Sequence, residues 1–159
     1  MARDHFILPT VPQDDIVAVR LGAGNSEAQR MDQKEVGKFV KLAGESRYNL
    51  SAVGNDIEGV IYAVELAPQN GFSIGSVMTE GRVFATFDGL QATPGTGVLA
   101  VGDYVVTGTP VAKGTALTGY PKVCKATDAT TSIFKWRVVS LGAAGSGAVG
   151  TTGVIERIC

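Results

Sequence analysis

The chain has 159 residues, of which 45% are hydrophobic and 18% charged, and its formal net charge is −1. That length suits one domain with a buried core, and the hydrophobic content excludes a chain that is disordered throughout. Thinly spread Lys and Arg exclude the basic footprint of a nucleic-acid binder, and no run approaches the ~20 consecutive apolar residues of a membrane span.

DNA, RNA and membranes are therefore not expected as partners, and a soluble protein made in the cytosol is. The two cysteines, Cys124 and Cys159, form no CxxC pair and no disulfide framework, which favours a reducing compartment. The start has only Phe6-Ile7-Leu8 as an apolar burst before Pro9, too short for a signal peptide.

Residues 1–15 read as an extended N-terminal arm, because Pro9 and Pro12 push their predecessors toward extended backbone. The arm either packs on its own barrel or lies across a neighbouring subunit, with Phe6, Ile7, Leu8 and Val11 as its candidate partner contacts. Residues 16–159 read as a single β domain. Short apolar runs bounded by Gly, Pro, Asn or Asp follow at Ile16–Leu21, Lys38–Leu42, Tyr48–Val53, Ile57–Leu66, Arg82–Phe87, Tyr104–Thr107, Lys122–Ala126, Ile133–Leu141 and Val154–Ile158. Their length and punctuation predict strands. In Ile133–Val139 the alternation puts Phe134, Trp136 and Val138 on one face and Lys135 and Arg137 on the other, so Trp136 is a predicted core residue.

Ser26–Leu42 carries Val36, Phe39 and Val40 at helical spacing, but Gly37 weakens a helix and Lys38–Leu42 reads as a strand. That leaves one helical turn, near Glu27–Gln33. Two stretches resemble one another: Ala52–Gly59 and Ala100–Gly108 both read as apolar pair, tight turn and strand, behind Gly37-Lys38-Phe39-Val40 and Gly81-Arg82-Val83-Phe84 respectively. A duplicated unit would produce this, and so would chance in a chain rich in Gly and Val. The turns stand either way. Pro94-Gly95 suits a type II turn, with Pro fixing φ and Gly accepting the positive φ after it. Many strands and long Gly-rich connections predict an all-β fold, a small β-barrel or jelly-roll-like sandwich.

The residues that could carry chemistry do not assemble into a set. His5, the lone histidine, stands in the arm with no serine or cysteine near it to complete a catalytic group, and no ligand pair shows metal-binding spacing. Asp14, Asp15, Asp56, Glu58, Asp88 and Asp103 read mostly as turn residues bonding their own backbone, and Cys124 reads as a small buried apolar residue in a strand. Gly145-x-Gly147-x-x-Gly150 has dinucleotide-fingerprint spacing, but such a fingerprint must open a helix. Here Val154–Ile158, a strand, follows, so the stretch is expected to be a loop. No catalytic residue, cofactor or metal is expected.

Gly145–Gly153 faintly resembles the glycine-rich arm of trimeric nucleotide hydrolases of the dUTPase type. Gly59-Val60-Ile61-Tyr62, however, lacks the aspartate of that family's Gly-Val-Ile-Asp motif. A carbohydrate- or receptor-binding β module is a further alternative, which would call for exposed aromatics. The stretches Gly37–Leu42 through Ala52–Gly59, Val98–Gly108 and Gly153-Val154-Ile155-Glu156 together resemble bacteriophage capsid decoration, or cement, proteins. The resemblance implies a non-catalytic virion protein on the outer surface of a phage head. Its partners would be the major capsid protein and itself, as a homo-dimer or homo-trimer, and it would stabilise the capsid by bridging neighbouring subunits.

Overall fold

A computed structural model describes residues 16–22, 29–44, 47–65, 73–127 and 135–158. The described chain is all-β: β1 (Ile16–Leu21), β2 (Phe39–Leu42), β3 (Arg47–Leu50), β4 (Gly59–Val64), β5 (Ser73–Met78), β6 (Arg82–Leu90), β7 (Thr93–Pro94), β8 (Tyr104–Thr107), β9 (Lys122–Lys125), β10 (Lys135–Ser140) and β11 (Thr152–Ile158). The first five strands close into a barrel in the order β1-β3-β2-β4-β5, and β5 returns to pair with β1. The later strands run β11-β10-β8-β9-β6, and pairing of β11 with β6 closes a second ring, to which β7 adds a two-residue hairpin arm.

The two rings repeat one topology. With β6, β8, β9, β10 and β11 in place of β1 to β5, every neighbour and every direction of pairing recurs, including the one parallel pair in each ring, β1 with β3 and β6 with β9. The similar stretches in the sequence are out of frame with this folded repeat. Gly37-Lys38-Phe39-Val40 enters β2, whereas Gly81-Arg82-Val83-Phe84 enters β6, the counterpart of β1. What the stretches share is the turn. Asn55 N donates to Ala52 O at 3.1 Å and Asp103 N to Ala100 O at 3.1 Å, with Gly54 and Gly102 at φ +78° and +92°, the geometry of a type II turn. Pro94-Gly95 forms the turn expected of it, with Thr96 N on Thr93 O at 3.2 Å.

Every predicted run holds a strand, with ends shifted by a few residues. β5 is not among those runs, because Ser73-Ile74-Gly75-Ser76-Val77-Met78 lacks the apolar density of a strand. Its small residues answer to packing: a Cβ on Gly75 would sit 2.3 Å from Ala63 O and 2.6 Å from Leu21 Cδ1. Buried Ser73 Oγ exchanges hydrogen bonds with Met31 N and O, both at 2.7 Å. Of the helical turn expected near Glu27–Gln33, Glu27 and Ala28 lie outside the described residues, and a single 3-10 turn stands at Gln33–Glu35. Asp32 caps it by accepting from Lys34 N at 2.7 Å, while Glu35 reaches back to Asp32 N at 2.8 Å, a reciprocal capping box that fixes the start.

The rings are joined by a common core. Leu21, Val36, Val40, Ile61, Val64 and Val77 cluster inside the first ring. Phe39, Ile57, Val60 and Met78 of the same ring pack instead with Phe87, Leu99, Val105, Trp136, Val138 and Ile155 of the second. Trp136 is 0% exposed while Arg137 beside it faces solvent, which is the alternation read from the sequence; Phe134 lies outside the described residues. At roughly 1.5–3 kcal/mol per large side chain removed from water, this shared cluster holds the rings together more strongly than the polar contacts across their seam. Those contacts include Ser51 Oγ with Thr107 Oγ1 at 2.8 Å, Gly54 N on Thr107 O at 2.8 Å and Thr107 N on Asn55 O at 3.0 Å.

Candidate interaction surface

Among the described residues, the carboxylates singled out in the sequence do not gather into a metal-holding group. Asp103 accepts from Ala100 N at 2.8 Å, bracing its own turn, and meets Lys125 Nζ at 2.9 Å. Glu58 departs from the turn reading, accepting from Leu42 N of β2 and not from its own turn. Asp88 departs from the turn reading, for it is buried at 4% exposure and anchors the β8–β9 connection by accepting from Thr109 N at 2.7 Å, with Lys122 Nζ 3.6 Å away. Cys124 is fully buried with Sγ 3.6 Å from Asp88 O. Burial and the nearby Asp88 carboxylate push its thiol up to about 11, so it stays protonated and a poor nucleophile. Among the described residues, no three His, Cys, Asp or Glu side chains gather where they could hold a metal ion. His5, Asp14, Asp15 and Cys159, and the arm contacts Phe6, Ile7, Leu8 and Val11, lie outside the described residues.

Two long connections of the second ring come together as one face. Gly145–Gly150 is a loop between β10 and β11, as its sequence predicts, and it lies beside the connection from β7 to β8: Val98 bridges Ala148, and Leu99 N donates to Gly147 O at 2.9 Å. The approach is so close that a Cβ on Gly147 would stand 1.7 Å from Leu99 O. Only glycine fits there. Leu99 turns inward at 1% exposure and pins the pair of loops to the core, which turns its neighbours outward. Val98 is 64% exposed, Val101 61%, Val149 40% and Leu90 37%. From Gly89 to Gly102 and from Val138 to Ile155 there is no Asp, Glu, Lys or Arg.

Further bonds stiffen this face. Gly150 N donates to Phe87 O at 2.8 Å, Gly102 N to Val138 O at 2.8 Å and Leu90 N to Thr96 O at 2.8 Å. Thr151 Oγ1 donates to the carbonyls of Ser146 and Ala148, both at 2.7 Å. Several backbone groups are thus paired within the loops, and the outward residues are valine, leucine, alanine, glycine, proline and threonine, Thr93 and Thr96 among them; Lys125, the register partner of Leu90, borders the face and is paired with Asp103. Grouped exposed apolar side chains of this kind mark contact sites, whereas scattered ones do not. The sequence signal for the face lies in its two charge-free runs; their adjacency has no such signal, because it depends on ring closure by β10 and β11.

A second feature is the cleft at the seam of the rings, lined by Phe39, Leu50, Val111, Leu117 and Pro121, with Lys38 and Lys122 among its polar neighbours. Its outer wall, the β8–β9 connection, is tied to the first ring by a buried ion pair. Glu35, 0% exposed, accepts from Gly114 N at 2.6 Å and lies 3.5 Å from Lys38 Nζ, which donates to Ala112 O at 2.8 Å. Burial lowers the Lys38 ammonium below the usual lysine range, and the Glu35 carboxylate opposes that shift. The space enclosed at the floor, about 20 Å³, has room for a single water.

No family model matches the chain, and no curated protein or solved structure matches it.

Proposed function

We propose that this chain is a structural virion protein that binds the outer surface of a phage head and cements neighbouring capsid subunits, with no catalytic role. The observation that carries the reading is the apolar face of Leu90, Val98, Val101 and Val149, carried by paired loops that contain no Asp, Glu, Lys or Arg. A stiff apolar face loses little conformational entropy on docking and gains by burying area. A head offers many equivalent sites, and engaging several subunits together makes each later contact effectively intramolecular. The resemblance of Gly37–Leu42, Ala52–Gly59 and Val98–Gly108 to decoration proteins points the same way, and two of the exposed valines fall in the last of these stretches.

The test is sedimentation with assembled heads. Val98→Asp combined with Val149→Asp should reduce head binding at least tenfold while leaving the far-UV β signature and the thermal midpoint in place. Because the two loops carry no charge and Lys125 beside Leu90 is already paired with Asp103, wild-type binding should change less than about threefold between 50 and 500 mM salt, where exposed ion pairs would be screened. Undiminished binding by the double variant, or magnesium-dependent hydrolysis of dUTP by the wild type, would overturn the reading.

A further inference from the structure

We propose that the β8–β9 connection is a hinged strap, latched by Glu35 and Lys38, that opens and recloses over the seam as one unit while both rings stay folded. The repeat of one topology in the two rings shows that a ring can close without it. β2 and β3 of the first ring correspond to β8 and β9 of the second, and the connection between them starts from the same bond in each: Ala43 N donates to Arg47 O at 2.8 Å, and Gly108 N to Lys122 O at 2.8 Å. Within that bond, residues 44–46 suffice in the first ring, whereas the second uses 109–121. A connection of that length without regular structure is uncommon and usually serves a function.

The fastening is of a releasable kind. Among the described residues, 110–119 hydrogen-bond to the rest of the chain through two side chains of the first ring, Lys38 Nζ donating to Ala112 O at 2.8 Å and Glu35 Oε1 accepting from Gly114 N at 2.6 Å. Val111, Leu117 and Tyr120 are only partly buried, and residues 112–116 are exposed, so little apolar area holds the strap down. Apolar side chains of similar volume often fasten as well as a buried ion pair or better. A pair instead fixes one seating when closed, and on opening both charges regain water. The base of the strap stays pinned by Gly108 N on Lys122 O and by Thr109 N on Asp88 Oδ2 at 2.7 Å. The swinging part therefore begins at Pro110 and ends near Gly119, which stands at φ +103° with open space around it. Among the described residues, neither core cluster draws a buried member from 109–121, so opening uncovers Phe39, Leu50 and Ser51 on the seam floor and leaves both interiors in place.

The experiment uses the full chain and reads two sites. Amide exchange by NMR compares Gly114 with Phe87 and Ile61, whose amides are bonded within the rings to Thr151 O and Lys38 O. Gly114 should exchange at least a hundredfold faster than either, yet at least tenfold slower than in a synthetic peptide of residues 109–121. Low urea should leave its rate nearly unchanged while accelerating theirs, because a local opening exposes little surface. Thiol labelling then reports the floor in a chain carrying Ser51→Cys and Cys159→Ser. Position 51, 3% exposed as serine, should label at the rate set by the Gly114 opening, and Cys124, 0% exposed, only on global unfolding. Exchange of Gly114 at the rate and urea slope of the ring amides, exchange as fast as in the peptide, or labelling of both thiols together would each overturn the proposal. Should the Ser51→Cys chain fail to fold, exchange in the wild type decides alone. Head binding enters neither measurement.

Discussion

Consider the buried pair that ties the β8–β9 connection to the 3-10 turn. Removing one partner of such a pair costs about 3–5 kcal/mol, because the other charge is left without compensation. Here the two partners are unequally supported. Glu35 accepts from two backbone amides, those of Asp32 and Gly114, besides facing Lys38, so Lys38→Met should cost about 3 kcal/mol, the lower end of that range. Among the described residues Lys38 has only the Ala112 carbonyl beyond Glu35, so Glu35→Gln should cost about 5 kcal/mol, the upper end. In the double variant neither charge is buried, and the amide oxygen introduced by Glu35→Gln still meets Gly114 N. Its loss should therefore fall short of the sum of the singles by at least about 2 kcal/mol, the coupling expected of groups in one network. Urea unfolding followed by fluorescence of Trp136, the sole tryptophan and 0% exposed, reads all four proteins. Singles below about 1 kcal/mol, or effects that add, would refute the assignment of a coupled buried pair.

Trp136→Ala should destabilise by roughly 3–5 kcal/mol, the range for deleting a large core aromatic; since the fluorophore is lost, the measurement is a calorimetric or far-UV melt. Cys124 gives a pH signature. Its folded thiol is held up to about 11 against an ordinary 9.0, so between these values the folded state keeps a proton that the unfolded state releases. Stability from this group is full below the ordinary value of 9.0 and falls as pH rises toward about 11. Buried Lys38 acts in the opposite direction, so the check is the difference between wild type and Cys124→Ala measured over that window, in which Lys38 cancels.

How much of this is legible in sequence alone follows from what each feature depends on. The alternation around Trp136 and the turns at Gly54, Pro94-Gly95 and Gly102 are local, and local pattern specifies them. β5 is hidden because its glycine and serines are chosen for what presses on them, Ala63, Leu21 and Met31, and those neighbours are distant in sequence. The two-ring topology is equally invisible. Each ring closes through a short parallel pair, only Arg20 with Arg47 and Leu21 with Tyr48 in the first, and nothing in either partner announces the other. Asp88 reads as a turn residue because glycine follows it; its burial arises from the later approach of Thr109 and Lys122.

The sharing of Phe39, Ile57, Val60 and Met78 between rings makes the two halves unequal. The amino-terminal half keeps a second apolar cluster of its own, whereas the large buried side chains of the carboxy-terminal half all stand in one cluster with those four. A cut between the halves would therefore open the interior of the later half while leaving the earlier half one cluster intact.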